Sequence, residues 1–181
     1  MKSQAQIFVR EVDPKTKFTI LRGELKFKDI LWESNCKWLH DGEQAYKPNE
    51  TVLEPLGELA KNYRFIVVLG TWCEDTRNLL PKFYKVVNEA LIDLNSIELF
   101  GVNRRKEALN NEHKTFKIQR VPTIIVFHQE REVGRITETV NESIEADLFK
   151  IMQEDAEKLN IKREQDSRYY QETIVSPEPK D

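Results

Sequence analysis

Phe65-Ile66-Val67-Val68-Leu69-Gly70-Thr71-Trp72-Cys73-Glu74-Asp75-Thr76 is the stretch that decides how this chain folds. Five apolar residues in a row, three of them β-branched, predict a central strand covered on both faces. Gly70, Thr71 and Trp72 then turn the chain. Beyond them the apolar period changes. Leu79, Leu80, Phe83, Val86, Val87, Ala90 and Leu91 recur at steps of three and four, which is the spacing of a helix. Pro81 falls inside that run and predicts a kink or a fresh start there.

Working outward towards the C-terminus, residues 97–102 read as a second strand and residues 104–117 as a short polar helix. Residues 122–127 form a third strand, and 131–136 a fourth that returns antiparallel after the Gln129-Glu130 turn. Ile144, Leu148, Ile151 and Leu159 mark one face of a closing helix, capped near Asn141 or Ser143. Residues 161–181 are polar and read as a disordered tail with at most a helical extension. Upstream, residues 7–9 and 18–21 are β-prone runs either side of Asp13-Pro14, forming a hairpin or lying loosely on the surface. Apolar positions between Gly23 and Tyr46 suggest one or two short amphipathic helices. Another follows, capped by Asn49 or Thr51. The expected fold class is therefore α/β, a mixed sheet sandwiched by helices, with a mostly helical N-terminal extension over residues 1–62. That extension should pack on the 63–160 domain through Trp32, Trp38 and Leu53.

Composition narrows the function classes. Hydrophobic residues make up 39% and charged residues 33% of the 181, with a formal net charge of −3 and no basic stripe, which argues against nucleic-acid binding. No apolar run approaches the roughly 20 residues a membrane span needs. Residues 7–9 are too short for a signal-peptide core, so a cytoplasmic protein is expected. Two cysteines and three histidines in no ligand spacing give neither a disulfide framework nor a metal site, and no cofactor is expected.

Three features in order carry a resemblance. A strand runs directly into Trp72-Cys73 and a helix; Pro81 lies eight residues after Cys73; Val121-Pro122-Thr123 opens a strand just before a hairpin. Over residues 63–160 the chain resembles the thioredoxin-fold superfamily, with a single-cysteine C-x-x-T turn. The resemblance implies that Pro122 is cis, that this loop packs beside the nucleophile, and that the backbone of Val121 pairs with a bound chain. It makes Cys73 the candidate nucleophile and Trp72 a flank of the binding surface. Independently, Cys73 sits where unpaired helix N–H groups and the positive end of the helix dipole favour a thiolate.

The departures matter as much. Thr76 stands where the family's resolving cysteine would be; its hydroxyl can hydrogen-bond the sulfur but cannot resolve a mixed disulfide. Val67 replaces the family's buried acid. Glu74 and Asp75 repel a neighbouring thiolate, while Arg77, one turn on, offsets part of that. Cys36 reads as a buried inert thiol or, less simply, as a resolving partner for Cys73. His128 should be exposed at a hairpin turn. The resemblance thus implies a thiol–disulfide oxidoreductase or isomerase-like protein acting in cell redox homeostasis. Its partners would be protein or small-molecule disulfides, and a low-molecular-weight thiol would be its reductant. The alternative is a redox-inactive binding or chaperone module; a peroxide-sensing or sulfur-carrying thiol is a third reading.

Overall fold

The computed structural model describes residues 7–174. The run at 65–69 lies in β3 (Arg64–Leu69), whose last five residues are wholly buried. Its alternating side chains enter two separate cores: Phe65, Val67 and Leu69 one, Ile66 and Val68 the other. A strand needing apolar cover on both sides at once must be internal, and β3 is. It pairs in parallel with β4 (Ile97–Gly101) and antiparallel with β5 (Thr123–His128). β6 (Arg131–Thr137) follows β5 antiparallel, with a register irregularity at Val126/Phe127.

Of the two arrangements open to the N-terminal β-prone runs, the hairpin is the one adopted, and it joins the main sheet. β1 (Phe8–Val12) and β2 (Thr19–Leu25) form an antiparallel hairpin, and β2 pairs antiparallel with β4. The six-stranded, mostly antiparallel sheet therefore runs β1-β2-β4-β3-β5-β6. Gly23 to Leu25 belong to β2, not to a helix. Gly23 sits at φ +117°, and a Cβ there would lie 2.5 Å from the Ile7 carbonyl oxygen, so a glycine is required where the two strands close.

Six α-helices are described: α1 (Phe27–Leu31), α2 (Trp38–Ala45), α3 (Glu50–Ala60), α4 (Glu74–Glu89), α5 (Glu112–Thr115) and α6 (Ile144–Ile174). Asn49 caps α3 through the Thr51 N–H. Near the start of α6, the Ser143 hydroxyl accepts from the Ala146 N–H. α4 continues unbroken through Pro81. Phe27 and Ile30 of α1, Leu39 of α2, Leu56 of α3, Leu80 and Phe83 of α4 and Leu148 of α6 enter the same core as Phe65, so helices do not share the two faces evenly. The other face is roofed by residues 102–118, where the expected polar helix shrinks to the single turn of α5, with Ala108 and Phe116 in the core. Trp38 and Leu53 do pack inward, but Trp32 is 78% exposed. His128 is not free at its turn. With Arg131 and the Tyr63 hydroxyl it grips Asp155 of α6, 4% exposed. α6 extends through residues 161–174, and 175–181 lie outside the described residues. No described helix is long and apolar enough to cross a membrane.

Candidate functional site

The site forms where the carboxyl ends of β3 and β4 meet the loop before β5. Gly70 to Cys73 make a tight turn closed by the Cys73 N–H on the Gly70 carbonyl, 2.8 Å. Cys73 is the N-cap residue of α4, extended at φ −88° and ψ 132°, and half-buried. Its carbonyl starts the helix by accepting from the Arg77 N–H at 3.1 Å. Its sulfur does not turn back to cap the helix. Instead the thiol donates to the Val121 carbonyl, 3.2 Å away, across a cis Val121–Pro122 peptide bond.

Trp72, Cys73, Val121 and Pro122 are thus gathered at one place, as the sequence suggested. Thr76 is close by but committed elsewhere: it is fully buried, and its hydroxyl oxygen accepts from the Gly70 N–H at 3.2 Å, tying α4 to the end of β3. Arg77 is likewise taken up, donating to the Thr71 carbonyl at 3.1 Å. Val67 is buried among apolar neighbours, so no acid lies beneath the turn at that position. Glu74 and Asp75 are exposed in the first turn of α4. Cys36 is fully buried and a free thiol. Burial first, and then the Glu33 carboxylate, push it up to about 11. A thiol so placed stays protonated and out of solvent.

A second cation, Arg104, which sequence reading missed, belongs to the site. Its guanidinium lies over the Trp72 indole, 5.1 Å from the ring, and interacts electrostatically with Cys73. Arg104 is fixed by a bidentate pair with Asp13 of the β1–β2 turn, both contacts 2.6 Å. Asp13 is 1% exposed and also accepts from the Thr16 hydroxyl and the Lys15 N–H. The Arg104 hydrogen bonds hold its carboxyl well below the usual carboxylate range, against the upward push of burial. On its other edge the Trp72 indole N–H donates to the Val102 carbonyl at 2.9 Å. The Thr71 hydroxyl accepts from the Leu21 N–H at 3.3 Å. The N-terminal hairpin is therefore built into the wall of the site. The single sequence signal for this was an acid beside Pro14 in a turn, and an arginine just after the second strand.

No protein-family model matches this chain, and no curated protein matches it. Among solved structures it is similar to a protein of unknown function from Pseudomonas aeruginosa, at 16% identity and a TM-score of 0.55. That alignment covers 72% of this chain and 92% of the other. It also aligns with an HIV epitope-scaffold at 18% identity and a TM-score of 0.47, over 63% of this chain and 72% of that one. The first likeness is one of fold alone.

Proposed function

We propose that this chain is a thioredoxin-like, cytoplasmic protein that works through one thiol, Cys73, and borrows its resolving thiol from outside. The observation that carries this reading is the half-buried Cys73 at the start of α4, meeting the carbonyl of a cis Val121–Pro122 loop, with the second cysteine sealed in the core. Trp72 and the exposed rim of this loop offer a surface on which an extended disulfide partner can lie.

In the proposed reaction the Cys73 thiol first loses its proton to solvent, leaving its bond to the Val121 carbonyl. The thiolate attacks one sulfur of a protein or small-molecule disulfide. A new S–S bond joins Cys73 to that sulfur, and the other sulfur departs as a thiolate and picks up a proton. A low-molecular-weight thiol then attacks the mixed disulfide, taking the bound group into a new disulfide and returning Cys73 as a thiol. The Thr76 oxygen accepts from the Gly70 N–H and keeps its own proton as a donor for the sulfur anion. The amides at the start of α4 and Arg104 share that role.

The test is turnover of hydroxyethyl disulfide by wild type, Cys73→Ser and Thr76→Cys, each with and without added thiol. Wild-type activity should require both added thiol and Cys73. Mass spectrometry should find the trapped adduct on Cys73 and none on Cys36. Full activity in Cys73→Ser would end this reading. A second reading, a binding or chaperone module without turnover, is favoured by one observation: the Cys73 proton is spent on the Val121 carbonyl. In that case Cys73→Ser keeps peptide binding, and no adduct forms.

A further inference from the structure

We propose a second site, at the opposite end of the sheet: a small pocket that binds an organic carboxylate by an apolar body and a single negative charge. β3 and β4 run in parallel, and Cys73 lies beyond their carboxyl ends. This pocket lies at the amino end of β4, between α1, α4 and the turn before β4, so it shares no residue with the thiol site. Its volume is about 270 Å³, at the small end for ligand sites, which suits one fused ring pair or a short alkyl chain.

Its chemistry is divided between floor and rim. Ile97 and Leu99 of β4, 3% and 1% exposed, form the floor. One wall is the stacked pair Phe27 and Tyr84, centroids 4.3 Å apart at 29°, a flat face for a ring or chain. Leu94 stands at the mouth, 50% exposed, and beyond it Trp32 of the α1 end is 78% exposed. Large apolar side chains left in water around a concavity are what an apolar ligand would cover.

The charged residues that line the mouth have one sign: Lys26 and Lys28 line it, and no Asp or Glu does. The acids nearby keep their charge but are held by other groups. Asp29 accepts from the Lys26 N–H at 2.7 Å, and Asp93 accepts from the backbone and side chain of Asn95, both at 2.9 Å. Glu24 reaches the Lys26 ammonium only at 3.8 Å. The Lys28 ammonium rests 5.9 Å from the Trp32 ring, an aromatic neighbour that leaves it able to meet an anion. Because Lys26 is shared with Glu24, the mouth matches a ligand with one negative charge, such as a carboxylate, better than a doubly charged phosphate.

The test titrates the full chain with naphthoate and with octanoate, against the neutral naphthalenemethanol, by calorimetry and by amide NMR shifts. Cys73→Ser serves as a parallel sample. At least one carboxylate should bind saturably in both proteins, shifting residues 26–31, 84 and 94–97 and leaving the Cys73 turn unmoved. Preference between the two carboxylates then assigns a ring or a chain as the natural body. Lys28→Glu and Leu94→Glu, both surface changes, should each weaken binding about fivefold with no change in thermal midpoint. No saturation at millimolar ligand, shifts centred elsewhere, equal binding of the neutral alcohol, or unchanged affinity in Lys28→Glu would overturn the proposal.

Discussion

Asp13 and Arg104 show how much of the site is decided by two side chains far apart in the sequence. Asp13 is buried and accepts from Arg104, Thr16 and Lys15, so replacing it with asparagine keeps the shape and removes the charge that fixes Arg104 over Trp72. Asp13→Asn should cost about 1–2 kcal/mol, measured by urea unfolding at neutral pH. The pH dependence has a definite sign. Because the folded-state carboxyl is held below its ordinary value, its contribution is complete above the unfolded value and is lost as pH falls towards the folded one. The gap between wild type and Asp13→Asn should therefore be constant near neutrality and narrow steadily below about pH 4. A gap that does not narrow between about pH 4 and pH 2 would contradict the assignment. At this scale the sequence was only half legible. Cys73, Val121 and Pro122 could be placed together because strand, turn and helix signals are local and the resemblance supplied the loop. Arg104 could not, since nothing in a local pattern pairs residues so distant. The Gly70 N–H on the Thr76 oxygen was likewise not legible, since it depends on how the end of β3 meets the first turn of α4.

Among the elements, close packing of helices overrides intrinsic preference. Gly57 lies in the middle of α3 and is buried, and a Cβ there would collide with the Ala90 carbonyl oxygen at the end of α4. Helix propensity alone predicts that Gly57→Ala stabilises by roughly 1 kcal/mol. Packing predicts the opposite, because the obstacle is backbone and cannot swing aside. Gly57→Ala should destabilise by about 2 kcal/mol in chemical denaturation, and any net stabilisation would contradict the contact. Element type was most legible where the pattern was long. β3, α3, α4 and α6 follow from their apolar periods, and of the two caps open to α3, Asn49 and Thr51, Asn49 is the one used. Short or mixed segments were less legible. Residues 23–25 hold a single large apolar side chain, Leu25, which suits either period, and only pairing with β4 makes them strand. Residues 104–117 are polar enough for a helix, but most of them serve as a roof over Phe100 and Val102. His128 was expected in solvent because it stands at a hairpin. The buried Asp155 on a helix that arrives later draws it in. Burial pushes that carboxyl up, but bonds from Arg131, Tyr63 and His128 leave it below its ordinary range.

For the molecule as a whole, residues 7–62 are part of one core with the rest. Leu21, Leu25, Ile30, Leu39 and Leu56 are buried in the same cluster as Phe65, Leu80 and Phe83. A 63–160 fragment would expose that cluster and the β4 edge now covered by β2, so it should show no cooperative melt and should aggregate on size exclusion. A soluble fragment with a sharp thermal transition would contradict this. The sheet order also has a consequence in time. β2 enters the sheet only beside β4, and between them in the chain lie three helices, β3 and α4. On a ribosome the hairpin emerges early and must wait, with Leu21 and Leu25 unsheltered, until Leu99 and Gly101 have been made. The hairpin is thus a guest without a seat for much of synthesis. Slowed translation between residues 25 and 101 should lengthen its dependence on chaperones.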